Sequence, residues 1–427
     1  MMKKAVIWNS ASSMINAGQS ALILIFISHF LGIESAGIFT IAYAVANLTY
    51  AIAKYGVRNF QVTDISEKYA FSCYVKMRWI TVSATFLGGL LYLGYQYFFN
   101  GDGISKVLVI LEIIVWKMID AIEDVYYGMY QQRGRLDIGA KYYTYRLMAS
   151  TGLYCVLIVC GFSLLKSTTI VLICSAVLAY FYVHKSLPML RVLDKPEKSN
   201  GTLRSLFWEC TSLCIGTSLA IYIGNAPKYM IDSCMDEKTQ GYFGILIMPA
   251  FVIMILNNFI YQPIIRNLGE MWNNKEYKAF FKRVFVQCVV VLLLTAIVIA
   301  AGAVVGLPLL SWLYGVDLMQ FRGSFILLLL GGGIYALVSF IMVPLTTMRY
   351  QNCISFGFLG VSIMTFLFGD YLVKGWGITG ASVLYVCINL VLAVYLTICF
   401  VYKFKREERA IFTQRNEETN YEQSSIN

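Results

Sequence analysis

One apolar stretch in the first third of the chain, LEIIVWKMIDAIEDVYYG, contains an unusual number of ionisable side chains. A charge at the centre of a bilayer costs roughly 2.5–3.5 kcal/mol on insertion scales, so ionisable residues in such a segment are functional candidates. Several of these residues recur at helical spacing together with Trp116, and one face of the helix must therefore contact protein or water. The ionisable residues are Glu112, Lys117, Asp120, Glu123 and Asp124.

Two interpretations of this charged face remain open. In the first, the face lines a hydrophilic cavity in which a carboxylate binds a coupling proton or cation. In the second, Lys117 forms an ion pair with Asp120 or Asp124 that fixes the helix, while Glu123 and Asp124 lie at the cytoplasmic interface.

A polar stripe on the first apolar helix is a second candidate. Asn9, Ser13, Asn16 and Ser20 recur at helical spacing and so share one face. These side chains could hydrogen-bond the hydroxyl groups of a sugar. The alternative is interhelical packing through small polar residues, which is common in membranes.

Three cations are candidates for binding phosphate. Pro227 is expected to unwind the last turn of the seventh helix and present Lys228 to the outer side, where a cation suits a diphosphate. The alternative is that Lys228 snorkels to the interface with Asp232 as an exposed partner. Arg58 and Arg266 each precede an asparagine and either set the topology or form a cytoplasmic phosphate-binding entrance.

Catalytic motifs are absent from the sequence. It contains no P-loop, no Gly-x-Ser-x-Gly and no cluster of cysteine with histidine. His29 and His184 are far apart, and the cysteines lie mostly in apolar segments. We therefore expect a protein that is not an enzyme and that needs neither a cofactor nor a metal ion.

Composition indicates the setting in which these residues act. Of the 427 residues, 58% are hydrophobic and 14% are charged, whereas soluble domains contain about 25% charged residues. The formal net charge of +10 is typical of the basic cytoplasmic loops of a membrane protein, and we expect no nucleic-acid partner.

A hydrocarbon core about 30 Å thick requires roughly 20 apolar residues per helix. This criterion predicts an all-α membrane protein of about twelve transmembrane helices. The predicted windows are residues 6–30, 36–55, 79–99, 104–123, 143–165, 168–187, 206–226, 240–262, 284–306, 323–343, 353–373 and 378–402.

Basic residues accumulate in alternate loops, which places both termini in the cytoplasm. This assignment treats Arg78 and Arg146 as residues of cytoplasmic loops. The polar segment LDKPEKSNGT follows the sixth helix and resembles a linker. We therefore predict four regions, namely an N-terminal six-helix bundle (1–192), a cytoplasmic linker (193–205), a C-terminal six-helix bundle (206–403) and a polar cytoplasmic tail (404–427).

An internal repeat supports two corresponding halves. Glu34-Ser-Ala-Gly37-Ile-Phe39 opens the second helix, and Lys238-Thr-Gln-Gly241-Tyr-Phe243 opens the eighth. Each motif is followed by an apolar helix and then by an Arg-Asn pair. Corresponding second members of two six-helix groups imply a parallel pseudo-repeat about an axis along the membrane normal.

Four stretches resemble a known family. They are WNSASSMINAGQSALILIFISHFLG, ESAGIFTIAYAVANLTYAIAKYGVRNFQVTD, DAIEDVYYGMYQQRGRLDIGAKYYTYR and NAPKYMIDSCMDEKTQGYFGILIMPAFV. In their order and spacing the chain resembles the Wzx-type polysaccharide-repeat flippases of O-antigen and capsule synthesis. This polysaccharide biosynthesis protein family belongs to the multidrug/oligosaccharidyl-lipid/polysaccharide exporter superfamily.

The resemblance implies two bundles around a central, often cationic cavity that alternates between the two membrane faces. It further implies a multi-pass protein of the bacterial inner membrane and a substrate of undecaprenyl-diphosphate-linked oligosaccharide. Lys228, Arg58 and the first-helix stripe best match cavity or entrance positions. The implied partners are the lipid-linked oligosaccharide, membrane lipids, a polysaccharide polymerase and a chain-length regulator.

In the expected mechanism the lipid tail stays in the bilayer through a gap between the halves while the head group crosses. Two alternatives remain. One is an ion-coupled drug or metabolite antiporter of the same superfamily, with Glu112 and Asp120 as coupling residues. The other is a membrane glycan polymerase or ligase, which the short predicted outward loops disfavour.

Overall fold

The structure is a computed structural model that describes residues 2–64, 68–193 and 201–426. Within these ranges all regular elements are helices. The α-helices are α1 (Met2–Phe30), α2 (Ile33–Lys54), α3 (Val57–Thr63), α4 (Phe71–Phe99), α5 (Ile104–Gln132), α6 (Leu136–Val159), α7 (Leu164–Leu193), α8 (Leu203–Cys234), α9 (Glu237–Leu246), α10 (Met248–Asn273), α11 (Tyr277–Ala301), α12 (Leu307–Tyr314), α13 (Arg322–Thr347) and α14 (Gln351–Ile426).

Seven helical stretches of the described residues are long and apolar enough to cross a bilayer. The charges of α5 explain why this helix does not meet the same apolar criterion. Each of the twelve predicted windows overlaps a helix, but the count of twelve spans and the cytoplasmic location of the termini stay predictions. The seven stretches are Ile7–Phe30, Ile33–Lys54, Leu164–Lys185, Leu203–Cys234, Tyr277–Tyr314, Met319–Thr347 and Gln351–Arg409.

The last of these stretches holds two predicted windows. A continuous helix over its 59 residues would be about 88 Å long, far more than the roughly 30 Å of a hydrocarbon core. Gly377 interrupts α14 with a φ of 57° and a ψ of −133°. Glycine tolerates this left-handed backbone without a steric penalty, and the break separates the two windows.

Large apolar side chains are exposed along several helices, as a protein solvated by lipid requires. On α4, Leu87, Leu91 and Phe98 are exposed, and on α11 Ile297 is exposed. Soluble monomers seldom present apolar surface on this scale. The described part of the chain thus has the surface and the helices of a multi-pass membrane protein.

The chain divides into two compact units. The first comprises Met1–Leu246 and Pro308–Gln320, and the second comprises Ile247–Leu307 and Phe321–Asn427. In the first unit α5 is central, since it packs against α2, α4, α6 and α7, while α1 packs against α6. In the second unit α13 packs against α10, α11 and α14. The predicted division at residues 193–205 stays a prediction.

Two helices begin earlier than their apolar windows. α4 begins at Phe71 and α6 begins at Leu136, seven or more residues before the predicted starts. Arg78 and Arg146 consequently lie inside helices, where both are buried. Their assignment to cytoplasmic loops was wrong because basic residues at the end of an apolar window were counted with the adjoining loop, whereas both helices continue beyond these residues.

The two repeat motifs pack against each other in the first unit. A Cβ atom on Gly37 of α2 would lie 1.8 Å from the carbonyl oxygen of Glu237, and one on Gly241 of α9 would lie 2.3 Å from that of Ile33. Ile33 and Glu237 each immediately precede their motif. The contact is therefore reciprocal, because the glycine of each motif approaches the residue before the other motif. Two-fold related motifs would make such a contact, and glycine permits the close approach of the two backbones.

Candidate functional site

Six helices of the first unit enclose a polar space around the C-terminal half of α5, which we call the polar cavity. Its volume is about 230 Å³. The lining comes from α1, α2, α3, α5, α6 and α7, and it consists mainly of hydroxyl, amide and charged groups. The lining residues are Asn9, Ser12, Ser13, Asn16, Tyr50, Lys54, Arg58, Asp120, Glu123, Asp124, Tyr127, Tyr143 and Tyr182.

Asp124 joins α5 to α3 and α4. Its Oδ1 lies 3.2 Å from Nη1 of Arg58, and its Oδ2 lies 3.0 Å from Nη2 of Arg78. Arg78 also donates to the carbonyl oxygen of Ala53 at 2.9 Å. Arg58 donates to Gln131 at 2.7 Å. Asp124 is therefore a buried ion-pair partner, and its predicted depth at the cytoplasmic interface stays a prediction.

Asp120 and Glu123 form a second buried ion-pair cluster, which holds α6 against α5. Arg146 contacts Asp120 through Nη2, and its Nε lies 2.8 Å from Oε2 of Glu123. Lys117 lies 3.2 Å from Oδ2 of Asp120. The predicted Lys117–Asp120 pair thus exists, but Arg146 contacts both carboxylates. The side chain of Glu123 is 6% exposed, and its predicted depth at the cytoplasmic interface stays a prediction.

The cavity lining holds two cations and three carboxylates. Three further cations outside the lining pair with these carboxylates, so positive charge exceeds negative charge when the ion-pair partners are included. Ionised groups are costly to bury unless they are paired, and each of the three carboxylates has at least one cation within 3.2 Å. Lys54 has no carboxylate within ion-pair distance among the described residues, and its Nζ lies 4.3 Å from the centre of the Tyr50 ring. The cations of this set are Lys54, Arg58, Arg78, Lys117 and Arg146.

A tight turn after α2 directs Arg58 into the cavity. Tyr55 and Gly56 have φ values of 49° and 68°, which is left-handed backbone that glycine adopts readily. The short helix α3 therefore starts in a new direction, and Arg58 lies in its first turn. The guanidinium carbon of Arg58 is 3.9 Å from the centre of the Tyr127 ring, a cation–π contact that leaves its side chain 28% exposed.

The first-helix stripe both lines the cavity and contacts its neighbours. Asn9 accepts a hydrogen bond from Tyr127 at 2.8 Å, and Asn16 accepts one from Tyr143 at 3.3 Å. Ser13 lines the cavity, whereas Ser20 is not among its lining residues. Interhelical hydrogen bonding and cavity lining, taken from the sequence as alternatives, coexist at Asn9 and Asn16.

Glu112 and Lys228 are not part of the polar cavity. Glu112 accepts from Thr169 of α7 at 2.6 Å. Lys228 is buried and donates to Asn225 at 3.1 Å. Because α8 continues through Pro227 to Cys234, the predicted unwinding at this proline was wrong. Neighbouring helical contacts can satisfy the backbone groups that a proline frees.

Arg266 does not share the environment of Arg58. It lies inside α10, which is unbroken at this point, and its side chain is 86% exposed beside Glu270. Asp232, expected as an exposed partner of Lys228, pairs instead with Lys106 at 2.7 Å and is 7% exposed. The similar Arg-Asn pairs therefore differ because only the first follows a left-handed turn.

The buried arginines that pair with the carboxylates of α5 and the tyrosines that line the cavity were not identified from the sequence. Arg78 lies just before the window 79–99 and Arg146 near the start of the window 143–165, and both were counted with the loops. A charge-balance argument for buried carboxylates was the one signal that could have found them. Tyr50, Tyr143 and Tyr182 carry no such signal, since tyrosine is frequent throughout the chain. Among the described residues no cluster of His, Cys, Asp or Glu is suited to hold a metal ion.

Solved structures share this fold over nearly the whole chain. An inward-facing multidrug resistance MATE family transporter of the MOP superfamily has a TM-score of 0.63 at 13% identity, covering 94% of this chain and 98% of that one. The lipid II flippase MurJ, inward closed, has a TM-score of 0.64 at 12% identity, with coverages of 92% and 88%. The eukaryotic MATE transporter AtDTX14 has a TM-score of 0.60 at 14% identity, with coverages of 96% and 98%.

These likenesses show the fold. The solved structures that carry it are MATE transporters and a lipid II flippase. No protein-family model and no curated protein sequence matches the chain.

Proposed function

We propose that this chain is a flippase that moves undecaprenyl-diphosphate-linked oligosaccharide repeat units across the bacterial cytoplasmic membrane. The observation that carries the proposal is the excess of positive charge around the polar cavity. Two cations there have capacity for a further anion, since Lys54 has no carboxylate partner among the described residues and Arg58 is partly exposed. A diphosphate accepts hydrogen bonds from such cations and balances their charge.

The rest of the cavity lining suits the glycan. Asn9, Ser13 and Asn16 provide amide and hydroxyl groups that donate to and accept from sugar hydroxyls. Tyr127 and Tyr143 add aromatic faces with polar tips. Alternating access of two helical units then carries the head group across. The fold shared with a lipid II flippase supports this route.

The cellular setting belongs to the same proposal. The chain functions in the bacterial inner membrane and supplies repeat units for O-antigen or capsule synthesis. A polysaccharide polymerase and a chain-length regulator use the product on the outer side. The Wzx-type resemblance of the sequence supports this assignment.

Deletion and complementation in the host test the proposal. We expect complete undecaprenyl-linked repeat units to accumulate on the cytoplasmic face after deletion and wild-type protein to restore surface glycan. Lys54→Ala together with Arg58→Ala should fail to restore it. Lys278→Ala, which removes an exposed lysine of α11, is the matched control and should restore it fully. Full activity of the double variant would contradict the assignment of the two cations.

An ion-coupled antiporter is the second candidate, and Glu112 favours it. This carboxylate is half-buried and has no cation within ion-pair distance among the described residues. Such a group can bind a proton or a cation. Unchanged glycan after deletion, with dye export that Glu112→Gln abolishes, would establish the antiporter. Normal translocation with short surface chains would indicate a polymerase or ligase instead.

A further inference from the structure

A second cavity lies between α6 and α7 in the first unit, and we call it the aromatic groove. Its volume is about 740 Å³, within the roughly 300–1,000 Å³ of small-molecule sites. Its lining is more apolar than that of the polar cavity. The lining residues are Glu123, Tyr142, Tyr143, Tyr145, Arg146, Ala149, Leu178, Phe181, Tyr182, His184 and Lys185.

The aromatic groove and the polar cavity share a wall. Glu123, Tyr143 and Tyr182 line both spaces. A single layer of side chains therefore separates them, and Tyr182 is held in this layer by Tyr142, whose ring centre is 5.2 Å away. A ligand with a polar portion and an apolar portion could occupy both spaces at once if the side chains of this layer move apart.

The groove is open at the surface of the protein. Tyr145 is 51% exposed and Phe181 is 62% exposed. These rings stand on helices whose ends carry basic residues of the predicted cytoplasmic side. In the predicted topology these exposed rings face lipid, and an apolar chain could then reach the groove from the bilayer without crossing water.

Charge at the groove favours an anionic ligand. Arg146 and Lys185 are cations, His184 is titratable, and Glu123 is the one carboxylate in the lining. The buried Nη1 of Arg146 has no hydrogen-bond partner among the described residues, although Arg146 is only 5% exposed. A buried donor of this kind costs free energy until an acceptor reaches it. A phosphate oxygen is such an acceptor.

We infer that the aromatic groove binds the isoprenoid end of the lipid carrier, an inference that rests on the proposed function. The phosphate adjoining the isoprenoid lies at Arg146, and the first isoprene units pack on Tyr145 and Phe181. The second phosphate and the glycan extend past the shared wall into the polar cavity, which Lys54 and Arg58 line. A polyprenyl diphosphate fits because a charged group joins its apolar and polar portions. The apolar groove and the polar cavity likewise adjoin each other at charged side chains. The tail thus lies against one unit rather than in a gap between halves.

Photolabelling of the full chain in detergent tests this placement. The probe is farnesyl diphosphate with a diazirine in its isoprenoid chain. We expect labelled peptides from α6 and α7 around Tyr145 and Phe181, with competition by undecaprenyl diphosphate and none by phosphatidylglycerol. Labels confined to other helices would overturn the inference. Equal competition by phosphatidylglycerol would also overturn it and assign a phospholipid to the groove.

A space-filling variant links the groove to transport. Ala149→Trp places an indole in the groove and should lower both photolabelling and flipping of a lipid-linked sugar in vesicles by about tenfold, equivalent to about 1.4 kcal/mol. Val156→Trp is the matched control, because Val156 is 58% exposed on the same helix and does not line the groove. Should the tryptophan variant misfold, a bulky maleimide attached to Ala149→Cys after purification fills the same space, with labelled wild type as reference.

The outcomes separate the two proposals. Wild type that takes up the label in the groove but flips no lipid-linked sugar would overturn the proposed function and leave the binding site standing. Wild type that flips the lipid, with Ala149→Trp equally active and equally labelled, would overturn the groove assignment alone.

Discussion

At the scale of single residues, charge pairing explains how α5 keeps three carboxylates in a buried position. Removing one partner of a buried ion pair commonly costs about 3–5 kcal/mol, because the remaining charge is left without compensation. Removing a partly exposed partner costs less free energy, because water can solvate the remaining charge. Arg78 and Arg58 contact the same carboxylate of Asp124, yet their side chains are 1% and 28% exposed. Arg78 should therefore contribute more to the stability of the protein than Arg58.

Arg78→Ala should lower the free energy of unfolding by about 3 kcal/mol, since it strips Asp124 of its buried partner. Arg58→Ala should cost less than about 1 kcal/mol in stability yet reduce transport of the lipid-linked sugar. Denaturant titration in micelles and vesicle flipping assays measure the two effects. Equal losses of stability in both variants would contradict a mainly structural role for Arg78 and a mainly substrate-binding role for Arg58.

The Lys117–Asp120 pair was predictable from the sequence on both sides, whereas the contacts of Arg78 and Arg146 were predictable only on the carboxylate side. Asp120 and Asp124 stand out because charge is rare in apolar segments. Arg146 and Arg78 do not, since basic residues at or near the ends of apolar windows are normal for the boundaries of cytoplasmic loops. Which cation pairs with which carboxylate depends on helix packing, and helix packing is not encoded in periodicity.

At the scale of elements, the crossing of α2 and α9 depends on two glycines. Gly37→Ala should destabilise the protein by about 1–3 kcal/mol, because a Cβ there meets a backbone oxygen that cannot move alone. Gly88→Ala on α4 is the control, since no atom lies within 4 Å of its Cβ position. The control should be neutral or slightly stabilising. Thermal unfolding in detergent compares them, and equal midpoints would argue against close packing at the crossing.

A charge cluster at the other end of α5 connects it to α8 and α9. Nζ of Lys106 lies 2.9 Å from Asp102, 2.7 Å from Asp232 and 3.8 Å from Glu237. Three carboxylates around one amine repel each other once the amine is removed. The cluster is therefore expected to act as a unit in stability.

Lys106→Met should cost about 3 kcal/mol of stability, and adding Asp232→Asn should recover part of the loss. Lys238→Met, an exposed lysine of α9, should change little. A double-mutant cycle from unfolding titrations measures the coupling, which should exceed about 0.5 kcal/mol for groups in contact. Additive effects of the two substitutions would mean that Lys106 and Asp232 do not stabilise each other.

Helix positions were predictable where apolar length alone determines them, as in α1, α2 and α13. The prediction was less accurate where polar residues extend a helix, as in the first turns of α4 and α6. The short helix α3 was not predicted, because seven residues are too few for a periodic signal. Its direction, and with it the place of Arg58, follows from the turn at Tyr55 and Gly56.

At the scale of the whole molecule, the direction of transport depends on how the chain is oriented in the membrane. The excess of basic residues in alternate loops predicts cytoplasmic termini. Arg78 and Arg146 do not belong to that count, since they are buried in ion pairs. The remaining loop residues still favour the same side, so the predicted orientation does not depend on these two arginines.

Two exposed positions of the first unit test this orientation. Cys160 follows α6, and Ser72 lies in the first turn of α4, so their helices place them on opposite sides in the predicted topology. In a cysteine-free chain, restored Cys160 should react with a membrane-impermeant maleimide in intact cells. Ser72→Cys should react only after permeabilisation. The reverse order would place the end of the polar cavity near Arg58 outside the cell, where lipid-linked repeat units are delivered rather than collected, and would exclude the proposed direction of flipping.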